Sequence, residues 1–134
     1  MPSAVSLIRS ASLATAPYAF AATAPATARL IFLAGACPLD EAGVTVGVGD
    51  VAAQARQVVA NAITALADSG ASVRDVIYSR LSVATASRDD LTIAWKIVHA
   101  SFADHDAPST FVGVTVLGYP DQLVELELVA AIVD

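Results

Sequence analysis

Short stretches of apolar or alternating residues occur six times in this chain, and two longer stretches with a helical period lie among them. Alternation or a continuous apolar run over four to eight residues predicts a β-strand, whereas apolar residues repeating every three to four positions predict a helix. Strands are therefore expected at residues 4–9, 18–21, 29–34, 75–84, 110–116 and 123–129. Gly35 and Pro38 end the third strand, and residues 40–49 form a loop that contains glycine.

Two helices are expected, one on each side of the fourth strand. Asp50 is a suitable N-cap for a helix that runs to about Ser69, and Gly70 occupies the position where helices commonly end. The sequence Ser87-Arg88-Asp89-Asp90 is typical of a capping box and starts a second helix, which ends near Asp104. The residues expected to face inward are Val51, Ala55, Val58, Ala62 and Leu66 in the first helix, and Leu91, Ala94, Val98 and Phe102 in the second.

The resulting order, β-β-β-α-β-α-β-β, predicts an α+β fold in which the helices cover one face of a mixed sheet. The sequence contains no repeat of solenoid length and no linker. Residues 1–134 are therefore expected to form a single domain.

The composition restricts the partners of this fold. Only 15% of the residues are charged and 56% are hydrophobic, whereas about 25% charged residues is usual, so we expect part of the surface to be buried in an oligomer. The net charge of −6 disfavours binding to nucleic acids and to anionic membranes. Because Cys37 is the single cysteine, an intramolecular disulfide is excluded. The first residues do not form the continuous apolar run of a signal peptide, so a cytoplasmic location is expected.

Two carboxylates interrupt the last apolar strand. Glu125 and Glu127 alternate with Val124, Leu126 and Leu128, and no Lys or Arg follows Lys96. The two acids share a face about 7 Å apart. A carboxylate in apolar surroundings is a candidate base, whereas an outward-facing pair on a half-solvated sheet is the structural alternative. The alternation alone leaves both interpretations open.

Four segments together resemble the Rid/YjgF family, the reactive-intermediate deaminases that are also labelled endoribonuclease L-PSP. They are Ala16-Pro17-Tyr18, Ala34-Gly35-Ala36-Cys37-Pro38-Leu39, the helix that starts Asp50-Val51-Ala52-Ala53-Gln54-Ala55-Arg56-Gln57-Val58, and Leu123-Val124-Glu125-Leu126-Glu127. The resemblance covers nearly the whole chain. It implies a chorismate-mutase-like fold that forms a homotrimer, with clefts for a small-molecule ligand between subunits. It also implies hydrolysis of 2-imino acids, such as 2-iminopropanoate, to 2-oxo acids and ammonia.

Carried over to this sequence, the resemblance implies catalytic roles for Glu125 and Tyr18 and a ligand-binding backbone amide at Gly35. The family's carboxylate-binding Arg is replaced by Ser109, and a polar Asn of the second helix by Trp95. Losing an Arg–carboxylate pair removes roughly 1.5–3 kcal/mol of charge-assisted bonding, which is about 10- to 150-fold in affinity. We therefore expect weak or no activity on 2-iminopropanoate and a substrate preference that differs from the family's.

Each of these residues also has a structural interpretation. Tyr18 could be an amphipathic residue at a subunit boundary, Gly35 could serve the turn, and Trp95 could fill the core instead of capping the cleft. Arg80, in the middle of the fourth strand, is a candidate substrate-binding cation or the partner of a glutamate. Cys37 is interpreted as a small core residue because no base is identifiable beside it.

Two functions from different classes follow. The first is an enamine or imine hydrolase of the deaminase type with altered substrate preference. The second is a non-catalytic trimeric protein that binds a ligand or regulates a partner. A ribonuclease or translation inhibitor is disfavoured by the acidic chain. No cofactor is expected, and His99 and His105 lack metal-ligand spacing, so no metal site is expected either.

Overall fold

The computed structural model describes residues 3–134, and it contains two helices and six strands. In chain order these elements are β1 (Ser6–Ile8), β2 (Ala21–Thr23), β3 (Arg29–Phe32), α1 (Val51–Asp68), β4 (Val76–Ala84), α2 (Arg88–Ser101), β5 (Ser109–Val114) and β6 (Val124–Ile132). The predicted order of elements is confirmed. No helix within the described residues is both long and apolar enough to cross a membrane.

The strands form two sheets, whereas the sequence predicted one. β1 and β2 pair with each other in a separate antiparallel ribbon. The other four strands lie in the order β3-β6-β4-β5, with β4 and β5 parallel and the remaining pairs antiparallel. The main sheet is therefore mixed, as predicted, and β6 lies inside it between β3 and β4.

Several predicted strand limits were wrong. β2 begins at Ala21 and not at Tyr18, because its pairing with β1 begins at Ala21. The Phe20 amide donates to the Ile8 carbonyl oxygen just before the strand, and Tyr18 lies outside the pairing. β6 continues to Ile132 because its far end pairs with β3, which itself stops at Phe32. β5 starts at Ser109, one residue before its predicted start, and stops at Val114, two residues before its predicted end. These limits depend on pairing between distant segments, which local patterns do not contain.

The first helix begins and ends as predicted. The Asp50 side chain accepts a hydrogen bond from the Ala53 amide, which satisfies one of the free amides of the first turn. Gly70 follows the C-cap residue Ser69 with a φ of +84°, a left-handed conformation that glycine adopts without strain.

The predicted capping box of the second helix does not form. Ser87 makes no side-chain capping bond. Instead, the Thr85 hydroxyl accepts from the Ser87 amide and donates to Asp90 Oδ2, so Thr85 joins the residue before the helix to the first helical turn. A capping box forms elsewhere, where Ser72 and Asp75 bond reciprocally around a short 3-10 turn at Val73–Asp75.

Both helices pack on one face of the main sheet. The core lies between these layers and contains Ala55, Val58, Ala62, Leu66, Ala94, Val98, Phe102, Leu81, Val83, Val124, Leu126, Leu128 and Ala130. The predicted inward stripes are confirmed, with Val51 and Leu91 at the partly buried edge of the core. The opposite face of the sheet is not covered by any element within residues 3–134.

The structural role of one buried polar residue in α1 was not predicted from the sequence. Gln54 is fully buried, and its amide nitrogen donates to the carbonyl oxygens of Gly47 (3.2 Å) and Asp121 (2.9 Å). Its carbonyl oxygen accepts from the Leu123 amide at 2.7 Å. Gln54 therefore ties α1 to the residues that lead into β6.

Replacing Gln54 with leucine is expected to lower the free energy of unfolding by about 1–3 kcal/mol, because buried backbone groups would lose their partners. Urea denaturation at matched protein concentration measures this loss. The control is Gln57→Leu in the same helix, which removes only the bond to the Asn61 side chain. Equal losses in both variants would contradict the proposed tie between α1 and β6.

Candidate functional site

The sheet register divides the predicted site residues between its two faces. Glu125 lies opposite Ser82, and Glu127 lies opposite Arg80, on the face away from the helices. Ser109 lies opposite Ser79, which is buried beneath the helices. Since residues paired across strands point to the same face, Glu125 and Arg80 lie on one face of the sheet and Ser109 on the other.

Glu125 packs directly against Gly35. A methyl group at position 35 would lie 2.6 Å from Glu125 Cδ and 2.8 Å from its Oε2. The backbone here is joined to β6 by two bonds between Ala36 and Leu126. The missing side chain of Gly35 thus makes room for the carboxylate of Glu125, a role that neither sequence interpretation of this glycine included.

Two neutral groups donate to the carboxylate of Glu125. The Cys37 thiol and the Gln122 side-chain amide each lie 3.4 Å from Oε1. Burial, together with the carboxylate of Glu125, raises the pKa of the Cys37 thiol above its ordinary value. Cys37 therefore remains a protonated thiol, which argues against a nucleophilic role and identifies it as a neighbour of Glu125.

An open cleft of about 710 Å³ adjoins Gly35 and Cys37. It lies between residues 33–41 and the exposed side of α1, with Tyr119 at its edge. Its walls include three acids, Asp40, Glu41 and Asp68, and none of the described residues that line it is basic. This cleft therefore disfavours anionic ligands.

Arg80 pairs with Glu127 in the structure, not with Glu125. Its Nε lies 3.9 Å from Glu127 Oε2, and the two side chains are 48% and 50% exposed. An exposed pair at this distance contributes little stability, so Arg80 can leave Glu127 at small cost. Directly across the strand from Arg80 is Thr110, which shares the face of Glu125 and which sequence analysis missed.

Tyr18, Trp95 and Ser109 meet on the helix-covered side of the sheet, at its β5 edge. They line a narrow cavity of about 30 Å³, which has room for one or two water molecules. Trp95 stacks on His99 with ring centroids 4.6 Å apart. Asp106 lies 3.1 Å from His99 Nε2 and accepts a bond from Arg9 at 2.6 Å. These contacts fix the wall of the cavity opposite Ser109.

The predicted site residues thus form two groups that are separated by the sheet. Gly35, Glu125 and Arg80 belong to the uncovered face, and Tyr18, Trp95 and Ser109 to the other side. One small ligand cannot contact both groups within a single chain. Among residues 3–134, no three His, Cys, Asp or Glu side chains are grouped closely enough to hold a metal ion.

The uncovered face also carries large apolar side chains. Leu30 pairs with Ala131, and Phe32 and Tyr78 both pair with Val129, on the same face as Glu127. Phe32 is 73% exposed and Leu30 is 54% exposed in the single chain. Such a patch on a sheet is typical of a surface that contacts another protein chain.

Replacing Gly35 with alanine is expected to displace the carboxylate of Glu125 by about 1 Å, because nonbonded carbon atoms pack about 3.5–4 Å apart. Crystal structures of the variant and the wild type measure this displacement. Gly118→Ala is the matched control, since no atom lies within 4 Å of a methyl group at that position. An unmoved carboxylate in Gly35→Ala would contradict the assigned role of Gly35.

Comparison with known proteins places the chain in a family. Residues 9–132 match the family described as endoribonuclease L-PSP. The 3-aminoacrylate deaminase RutC of Acinetobacter baylyi is 30% identical over 131 residues, which are 97% of this chain and 98% of that protein.

Two solved structures show the same fold. The Rid-family protein YyfB of Yersinia pestis is 28% identical and superimposes with a TM-score of 0.87, over 96% of this chain and 99% of that one. Rv2704 of Mycobacterium tuberculosis, a YjgF/YER057c/UK114 family member, is 24% identical with a TM-score of 0.64, over 96% and 99% of the two chains. This chain therefore belongs to the endoribonuclease L-PSP family, which is the Rid/YjgF family that its sequence motifs resemble.

Proposed function

We propose that this protein binds a small enamine or imine in clefts between the subunits of a homotrimer and hydrolyses its carbon–nitrogen bond. The observation that carries the proposal is the placement of Glu125. Its carboxylate is half-buried against Gly35, and among residues 3–134 the hydrogen-bond donors to it are neutral. The likeness of this chain to RutC, a 3-aminoacrylate deaminase, supports deaminase-type chemistry.

The proposed reaction requires one base that later returns its proton. Glu125 accepts a proton from water as the oxygen attacks the imine carbon, which gives a tetrahedral carbinolamine. With the substrate as its protonated iminium ion, this carbinolamine is neutral. Glu125 returns the proton to the nitrogen and then takes the hydroxyl proton as the carbon–nitrogen bond breaks, so that ammonia leaves, the carbonyl forms, and Glu125 finally releases its proton to solvent. An enamine reaches the same iminium ion by protonation at carbon. A carboxylate without a cation beside it suits this role, because a cation in contact would make it a weaker base.

The proposed assembly follows from the division of the site. Tyr18, Trp95 and Ser109 lie on the side of the sheet opposite Glu125 and Gly35. A ligand that contacts both groups must therefore lie between one chain and a second copy. The exposed apolar residues on the face of Glu125 supply the surface that such a copy would cover.

The proposed substrate preference follows from the charges. Ser109 points under the helices, and its neighbour in β5 on the face of Glu125 is Thr110, which carries no charge. The adjoining cleft carries Asp40, Glu41 and Asp68. This field favours a neutral imine or its protonated iminium form over the anion of a 2-imino acid.

Glu125→Gln is expected to reduce turnover of the best imine substrate by about 100-fold or more, the usual contribution of a general base. The substrate is chosen from a panel of neutral and anionic imines generated enzymatically. The matched control is Glu127→Gln, which removes one charge from the same face and strand. Turnover by Glu125→Gln at the wild-type rate would rule out this mechanism, and ligand capture without turnover by the wild type would indicate the non-catalytic alternative.

Thr110→Arg is expected to increase turnover of 2-iminopropanoate by about 10-fold or more, because it places a carboxylate-binding group on the face of Glu125. Ser109→Arg is the control, since its side chain faces the helices. The wild type is expected to act weakly or not at all on this substrate. Robust wild-type turnover that Arg80→Gln abolishes would show instead that Arg80 binds the carboxylate.

The wild type is expected to be a trimer in solution, and Phe32→Ser is expected to dissociate it. Light scattering coupled to size-exclusion chromatography measures both masses. Ile93→Ser is the control, because Ile93 is exposed on α2 and not on the uncovered sheet face. A wild-type monomer at micromolar concentration would contradict the shared site.

A further inference from the structure

We infer that Cys37 and Gln122 are positioning residues that hold one oxygen of Glu125 and leave the other free for water or ligand. This inference rests on the proposed role of Glu125. It assigns a function to the only cysteine of the chain, which sequence analysis interpreted as a small core residue.

The geometry separates the two carboxylate oxygens. Both donors, Cys37 Sγ and Gln122 Nε2, are directed to Oε1 at 3.4 Å. Oε2 lies beside Gly35, at the position where any other residue would place a side chain. Since both donors bind Oε1, the inferred arrangement leaves Oε2 for a water or ligand.

Gln122 is itself fixed. It is buried, its Oε1 accepts from the Tyr119 amide at 3.0 Å, and its Nε2 also donates to the Val124 carbonyl at 3.1 Å. With Glu125 as its third contact, the Gln122 amide has little rotational freedom. Gln122 therefore constrains the direction from which Glu125 Oε1 is bound.

Cys37 is held in place by the opposite helix. The Asn61 side chain in α1 donates to the carbonyl oxygens of Cys37 (2.8 Å) and Leu39 (3.0 Å). The thiol also lies 3.4 Å from the Gly35 carbonyl oxygen, which is a second acceptor for the same proton. Thiol and amide both bind Oε1 and neither carries a positive charge, so they orient the Glu125 carboxylate without placing a cation beside it.

The thiol itself reports on this contact. Burial raises the pKa of Cys37, and the bond and charge of Glu125 raise it further, whereas Gln122 lowers it. If the contact exists, Glu125→Gln must lower the thiol pKa, because the negative charge that disfavours the thiolate is gone. If burial alone raised it, loss of the charge would change nothing.

Iodoacetamide alkylation across a pH series tests this, since the chain has one thiol. Near neutral pH, Glu125→Gln is expected to react about threefold faster or more than wild type, the effect of one ordinary hydrogen bond. Glu127→Gln, which removes a charge on the same face without touching Cys37, is the matched control. Equal rates in wild type and Glu125→Gln, or equal acceleration in both variants, would overturn the inference.

Turnover supplies a readout that a merely structural role would not give. Cys37→Ala is expected to lower kcat for the imine substrate with KM unchanged, and Cys37→Ser, which keeps a donor, is expected to restore most of it. A loss shared equally by both variants would contradict positioning by the donor. An alkylation shift without any turnover would refute the proposed hydrolysis and leave the contact established.

Discussion

The alternation of side chains along β6 is the constraint on which the rest of the structure depends. Val124, Leu126 and Leu128 enter the core beneath the helices, so Glu125 and Glu127 must point to the other face. A shift of one residue would bury both carboxylates and expose the apolar set, which is far too costly to compete. Because β6 lies inside the sheet, its register also fixes which residues of β3 and β4 share a face with Glu125.

Under the proposed function, that constraint makes the site depend on an assembly. The sheet is a barrier that no side chain crosses, so Tyr18 and Ser109 cannot join Glu125 around one ligand in a single chain. Exposed Phe32 and Leu30 lie in β3 on the same open face as the acidic residues. The apolar area that would drive association therefore lies on the surface where a second half of the site is needed.

Much of this fold was predictable, because both helices and the core face of β6 carry strong local patterns. Glu125 and Gly35 were found by motif, and their direct contact was not, since it joins β6 to the segment after β3 across 90 positions of chain. At the start of α2 the Ser87 side chain makes no capping bond, and Thr85 instead bonds to Asp90, a contact that the capping-box pattern does not contain. The sequence motif placed the position of the family's Arg at Ser109, and only the pairing with β4 shows that Thr110, one residue later, faces the Glu125 side.

The proposed hydrolysis depends on the charges around Glu125. A cation beside Glu125 would bind anionic substrates, but it would also weaken the carboxylate as a base. Here neutral donors from Cys37 and Gln122 orient the carboxylate, and Arg80 is paired with Glu127. Water attacks a protonated imine faster than a neutral one, and an acidic cleft stabilises that positive charge. Under the proposed function, affinity for carboxylate-bearing substrates would therefore fall, while the charges around Glu125 would still suit imine hydrolysis.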